Sequence, residues 1–216
     1  MAQYLILDAA RMGTYLEEVK KLCSQIDSLY VTKKEEDMLQ SVAPYLCNFS
    51  NSPKLQEFYY SNGWGDSWGI IIGSDYSFQD VYKHFRKFLM VKTEEGEELY
   101  FRFYDPRVLR IFLPTCDAAQ LKELFAPIDY FLMEDEDKIF SVKFSLGFNG
   151  LKKEQIPFDS INKLTSTKQQ TDYATINEIN APVKPTFNIL EQQPTAPKTS
   201  IEMPTEIKKP KFNIFD

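Results

Sequence analysis

One histidine, three cysteines and no glycine beyond Gly150 define what this chain of 216 residues does without. A lone His84 and no paired cysteine spacing exclude the usual His/Cys metal centre, so neither a metal nor a cofactor is expected. Cys23, Cys47 and Cys116 are odd in number, widely separated and set in apolar surroundings. That pattern predicts reduced thiols in an intracellular protein, not a disulfide framework. No Gly-x-Ser-x-Gly elbow and no glycine-rich phosphate loop is present. No apolar run is long enough to cross a bilayer and no basic-then-apolar leader opens the chain, which predicts a soluble, cytoplasmic protein without a membrane partner. Arginine stops at Arg110 and the formal charge is −6, so the cationic surface that a nucleic-acid backbone demands is missing.

Apolar residues are plentiful by contrast, at 43%, with 14% aromatics, enough for a sizeable core. Their distribution divides the chain. All 8 glycines fall at or before Gly150, whereas half of the 12 prolines lie between Pro182 and Pro210. Residues 1–150 read as one folded domain, and 151–164 as a short connecting segment, either packed on it or free. Residues 165–216 are rich in Ser, Thr, Asn, Gln, Lys and Pro with isolated apolar residues. Such a composition cannot offset chain entropy by burial, which predicts a disordered tail.

Within the domain, strand and helix signals alternate. Tyr4–Asp8 is a short apolar strand, followed by an amphipathic helix over Ala9–Ile26 with Met12, Leu16, Val19, Leu22, Cys23 and Ile26 inward. Tyr45–Phe49 reads as a strand, Ser52-Pro53 as a helix start, and Gly69–Gly73 as a strand buried on both faces. Ser77-x-x-Asp80 opens a helix to about Met90, and Asp117 with Gln120 opens another that ends near Pro127. Tyr130–Met133 and Ile139–Leu146 are strands around the acidic turn Glu134–Asp137. This alternation predicts an α/β fold with a mixed, partly parallel sheet and flanking helices.

Leu99–Leu113 joins an aromatic strand to a helix, with Asp105 as N-cap and Pro106 at the first helical position. Val108, Leu109, Phe112 and Leu113 fall on one face. Arg102, Asp105 and Arg107 could line an anion pocket at the end of the sheet; the competing reading makes Asp105 a cap and pairs the arginines internally, and it is favoured. His84 could serve as a base, but its helix buries Val81, Phe85, Phe88 and Leu89, which favours a structural hydrogen bond. Trp64-Gly-Asp-Ser-Trp68 sets two large rings around a turn, suited equally to anchoring a partner or covering the core edge. The run Glu94–Glu98 reads as a solvated hairpin tip.

The tail holds a repeat. Pro185-Thr-Phe-Asn-Ile-Leu190 recurs as Pro210-Lys-Phe-Asn-Ile-Phe215, 25 residues on. Phe187, Asn188, Ile189, Phe212, Asn213, Ile214 and Phe215 are therefore candidate partner contacts. An extended peptide of this kind can add to a sheet edge, and two copies raise effective concentration at a partner.

Phe101-Arg-Phe-Tyr-Asp-Pro-Arg-Val-Leu109 resembles the signature of the type VI secretion effector chaperones, or adaptors. Tyr4-Leu-Ile-Leu-Asp-Ala-Ala10, Ala43-Pro-Tyr-Leu46, Trp68-Gly-Ile70 and His84-Phe-Arg-Lys-Phe-Leu-Met-Val91 match the same family's pattern in the same order, over about the first 130 residues. The resemblance implies a cytosolic protein without catalysis that binds a secreted toxic effector and brings it to the trimeric spike protein (VgrG). Many relatives continue into a helical lobe, where this chain has its low-complexity tail. The other functions considered are an enzyme acting on a small anion at Arg102/Asp105/Arg107 and an inhibitory protein that neutralises a toxin by occlusion.

Overall fold

A computed structural model describes residues 1–30, 39–92 and 98–161. Strand β1 (Ala2–Asp8) runs into α1 (Ala9–Met12), a 3-10 turn over Gly13–Tyr15 and α2 (Leu16–Leu22). Next come β2 (Ile26–Ser28), β3 (Pro44–Asn48), α3 (Pro53–Asn62) and β4 (Gly69–Ser74). The segment α4 (Phe78–Arg86), the paired strands β5 (Met90–Lys92) and β6 (Glu98–Tyr100), α5 (Pro106–Phe112) and α6 (Ala118–Leu124) lead to a final meander. That meander is β7 (Tyr130–Glu134), β8 (Phe140–Gly147) and β9 (Gly150–Pro157).

The α/β class expected from the sequence is observed, but the main sheet is antiparallel throughout. Its order is β2-β3-β1-β4-β7-β8-β9, and each neighbouring pair is antiparallel. The expectation of a partly parallel sheet is corrected by where β1 sits. Strands β3 and β4, joined through α3, do point the same way, since each is antiparallel to β1. β1 lies between them, so the parallel pair never shares a hydrogen bond. Strand–helix alternation fixes the direction of the joined strands, not their adjacency.

Alternation along each strand feeds two cores, one on each face of the sheet. Tyr4, Ile6, Ile70, Ile72, Phe131, Met133, Val142 and Phe144 pack against α4, α5 and α6. Leu5, Leu7, Ile71 and Leu132 pack against α2 and α3. Burial on both faces explains why Leu5–Leu7 and Ile70–Ile72 are unbroken apolar runs.

Several boundaries move for identifiable reasons. The long helix expected over Ala9–Ile26 breaks at Gly13, whose φ is +55°. Ser52 does not cap α3 through its side chain; its Oγ instead accepts from the Ser24 N–H at 3.2 Å. The aromatic strand stops at Tyr100 and belongs to the small β5–β6 sheet. Beyond it Phe103 and Tyr104 are both buried, so the expected two-faced alternation ends where the chain turns into the core. Residues 150–157, which straddle the expected domain limit, form β9 and pair with β8 along its full length. Phe158 and Ile161 then pack into the α2/α3 core. The charge-rich sequence of β9 gave no apolar alternation to signal a strand, because it is an edge whose Lys152, Lys153 and Glu154 discourage further pairing. The two capping motifs hold: Ser77 Oγ accepts from Asp80 N–H at 3.3 Å, and Asp117 and Gln120 form a reciprocal capping box. Among the described residues no helix is long and apolar enough to cross a membrane.

His84 has a structural role. Its Nε2 lies 3.0 Å from the Leu124 carbonyl oxygen, a contact that joins α4 to α6 and requires the Nε2–H tautomer. Burial lowers the imidazole from 6.5 to about 4; the Leu124 bond opposes the shift and Lys87 adds to it. The unfolded chain therefore takes up this proton near 6.5, and the folded chain only near 4. The contribution is fully present above the higher value and is lost as pH falls through the lower one, about 3 kcal/mol in all. Urea melts between pH 7 and pH 4 should show His84→Gln flattened relative to the unsubstituted chain by that amount. Equal slopes would refute the assignment.

Candidate functional site

Buried charge concentrates at one end of the main sheet. Asp8 closes β1, Asp105 caps α5 and Glu134 closes β7; all three are buried. Each is where a strand or helix ends, so backbone groups without ladder partners are at hand. Asp8 accepts from the Ala10 N–H at 3.1 Å as the N-cap of α1 and from the Arg102 guanidinium. Its own N–H donates to the Trp68 carbonyl at 2.7 Å, while Ala9 N–H donates to Ala43 at 3.1 Å. Four of the five segments that carry the family resemblance thus meet around Asp8.

Asp105 behaves as a cap and a clamp. It accepts from Arg107 N–H at 3.0 Å, Arg107 Nε at 2.9 Å and the second guanidinium nitrogen at 2.6 Å. Arg102 stands 3.6 Å away. Burial pushes the Asp105 carboxyl up, but the Arg107 hydrogen bonds and both guanidinium charges outweigh it and hold the group below the ordinary carboxylate range. Arg102 and Arg107 keep 44% and 49% of their side chains exposed. Two carboxylates nevertheless match two guanidiniums, which leaves no surplus positive charge to draw an anion. Pro106 is buried at the first position of α5. Asp105→Ala should cost roughly 0.5–2 kcal/mol through loss of the cap, with any binding defect no larger than the unfolded fraction explains. Denaturant melts run beside binding titrations test this, and full stability with lost binding would contradict it.

The Trp64–Trp68 turn rests on the same end. Gly65 has φ +90° and Ser67 φ +57°, a conformation that costs Ser67 energy unless its surroundings fix it. Glu134 supplies the fixing: its carboxylate accepts from the N–H of Gly65, and from the N–H and Oγ of Ser67 at 3.1 and 2.9 Å. Arg11 donates to the Asp66 carbonyl at 2.9 Å, and Arg110 donates to the Glu134 carbonyl at 2.8 Å. The two tryptophans separate in role. Trp64 is half-buried, stacked on Phe158 with centroids 4.6 Å apart, and its Nε1–H donates to the Lys138 carbonyl at 3.0 Å. Trp68 is buried against Tyr15 and Phe58, where it covers the core, one of the two uses open to it from its place in the sequence. Gly63 explains the difference, since a Cβ there would lie 2.5 Å from the Trp68 ring: the helix end leaves the space the indole fills.

Sequence reading missed Asp8, Glu134 and Phe158. Asp8 carried a signal, an acidic residue between an apolar strand and Ala-Ala. Glu134 carried none, since it opens a run of acids that reads as solvated turn. Glu94–Glu97 and the repeat residues Phe187, Asn188, Ile189, Phe212, Asn213, Ile214 and Phe215 lie outside the described residues. Among the described residues no group of three or more His, Cys, Asp or Glu is placed to hold a metal ion.

On the opposite sheet end, the β8–β9 hairpin projects Phe148 fully into solvent. Beside it a shallow cleft of about 690 Å³ is lined by Phe125, Ala126 and Leu146 with Ala119, Lys122 and Glu123.

The buried carboxylates of this two-core α/β domain are bonded to backbone N–H groups and arginines of the chain itself. Residues 3–123 match the family described as a domain of unknown function, DUF4123, and the chain belongs to that family. The match ends within α6, so β7–β9, including Glu134, lie beyond it. No curated protein and no solved structure matches the chain.

Proposed function

We propose that the chain is a cytoplasmic adaptor that binds a type VI secretion effector and helps load it onto the trimeric spike protein, without catalysis of its own. The observation that carries this reading is the family match over residues 3–123, which takes in every segment resembling the effector chaperones. The electrostatics favour it over the small-anion enzyme: the Arg102, Asp105 and Arg107 groups are committed to one another and to Asp8. Exposed apolar side chains supply contact area, among them Tyr100, Ile111, Ile139, Leu146 and Phe148. Co-purification of the full chain with a candidate toxin and spike, which an adaptor is expected to have as gene neighbours, tests the proposal. A stoichiometric complex with the toxin, joined by the spike, is expected. Binding to neither would overturn it, and binding to the toxin alone would favour the occluding inhibitor.

The Phe-Asn-Ile repeats are proposed as tethers within that complex. Burying one Phe side chain contributes on the order of 1.5–3 kcal/mol before ordering costs. Phe187→Ala combined with Phe212→Ala should therefore weaken affinity about tenfold or more, and either change alone should do less because the second copy still holds. Titration calorimetry against toxin and spike separately provides the measurement; unchanged affinity for both would return binding to the folded domain.

A further inference from the structure

Asparagine followed by glycine occurs twice in the chain, at Asn62-Gly63 and at Asn149-Gly150. In each pair the backbone nitrogen after the asparagine has no side chain of its own residue to shield it, which is the local condition for main-chain attack on the asparagine amide. The fold treats the two pairs differently. Asn62 ends α3, and its Nδ2 donates to the Phe58 carbonyl at 2.9 Å. The Gly63 N–H donates to the Tyr59 carbonyl at 2.8 Å, and Gly63 is buried against the Trp68 ring. Phe148 and Asn149 instead form the two-residue turn between β8 and β9, closed by the Gly147–Gly150 pair that ends the ladder. Residues 146–150 are all exposed. Gly150 has φ +104°, and among the described residues no atom beyond its chain neighbours lies within 4 Å of the position a Cβ would take there.

We propose that Asn149 is a site of spontaneous deamidation, through which the tip of the β8–β9 hairpin gains a carboxylate as the protein ages. The nucleophile is the Gly150 backbone nitrogen. It attacks the Asn149 Cγ; the new N–C bond closes a succinimide ring, the Cγ–Nδ2 bond breaks, and ammonia departs with the Gly150 amide proton. Water then adds to either ring carbonyl. Opening at Cγ leaves aspartate, and opening at the Asn149 main-chain carbonyl leaves isoaspartate, in which the chain continues through the side chain. On either route one water is consumed and one ammonia released. Ring closure requires the backbone to swing at the asparagine and the glycine. At the hairpin tip only the terminal ladder pair has to open, and ladder ends fray at little cost. At Asn62 the same movement must break the bonds to Phe58 and Tyr59 and lift Gly63 off the Trp68 ring. The helix end is therefore protected, although in sequence the two pairs are equal.

The new carboxylate stands next in the chain to Phe148, which is fully exposed, so the modification alters the outer surface of the hairpin and touches neither core. It is independent of the adaptor reading and survives its failure. Peptide mapping by mass spectrometry, on the full chain incubated in neutral buffer at physiological temperature, tests it. Asn149 should convert to a mixture of aspartate and isoaspartate at least about ten times faster than Asn62, because reaction follows the population of the open form. In concentrated urea the two sites should convert at comparable rates, since the protection of Asn62 is lost with the fold. Asn149→Gln should abolish the conversion in that peptide. Asn149 left intact in the folded chain would overturn the proposal, as would conversion of Asn62 at an equal rate. So would a difference between the sites that persists undiminished in urea, since the fold would then not be its cause.

Discussion

Glu134→Ala should lower stability by about 3–5 kcal/mol and release the Trp64–Trp68 turn. The carboxylate is buried at the end of β7 and is the acceptor for Gly65 N–H, Ser67 N–H and Ser67 Oγ. Truncation leaves those buried donors without their acceptor, and each buried donor left unmade costs about 1–3 kcal/mol. Ser67 holds φ +57° only while the turn is fixed, so relaxing it recovers a small part of the loss. Glu134→Gln keeps the shape and one carbonyl oxygen, and should fall between the two. Urea denaturation reads the stability, and tryptophan fluorescence reads the turn. Trp64 is stacked on Phe158, and its emission should shift to longer wavelength in Glu134→Ala under conditions where the chain remains folded. Unchanged emission together with unchanged stability would show that the turn is held by other contacts.

Gly69→Ala should be the most damaging single methyl in the domain. A Cβ at this position would lie 2.0 Å from the Ile6 carbonyl oxygen and 3.0 Å from the Leu7 Cα, both backbone atoms of the adjacent strand. A flexible side chain could swing aside; β1 cannot, because it is paired on both edges, to β3 and to β4. The central strands must part by more than an ångström at the point where Asp8 N–H donates to Trp68. A loss of at least about 3 kcal/mol follows, at the upper end of what overpacking produces. Insolubility, or a thermal midpoint lowered by ~10 °C or more, is the expected result. A variant as stable as its parent would mean that the two strands lie further apart than described. Because Gly69 is part of the Trp68-Gly-Ile70 segment, this outcome also bears on why that segment has a recognisable form: the glycine serves the close approach of two strands.

The comparison of Asp105 with Glu134 shows how far each level of information reaches. Asp105 was identifiable as a cap because the acceptor, the helix start and Pro106 are adjacent in sequence, and capping is a local interaction. Its clamp on Arg107 is equally local. Arg102, three residues from Asp105, also reaches Asp8, 94 residues away, and no spacing rule reveals that. Glu134 and the turn it holds are 69 residues apart at Gly65. An acidic residue at a strand end looks the same in sequence whether it faces water or a cradle of N–H donors.

What the sequence determined by itself were the properties set by near neighbours along the chain. Strand β4 was readable from its unbroken apolar run, α4 and α6 from their capping residues, and the start of α5 from Asp105-Pro106. The α/β class followed from their alternation. Tertiary structure alone decided that β1 lies between β3 and β4, making every ladder antiparallel, and that the charged segment 150–157 completes the sheet. It also decided that Trp68 is core while Trp64 lies at its edge. Each of these depends on which surfaces come together after the elements form, and that choice is made by packing two apolar cores on opposite faces of one sheet, not by any residue's immediate neighbours.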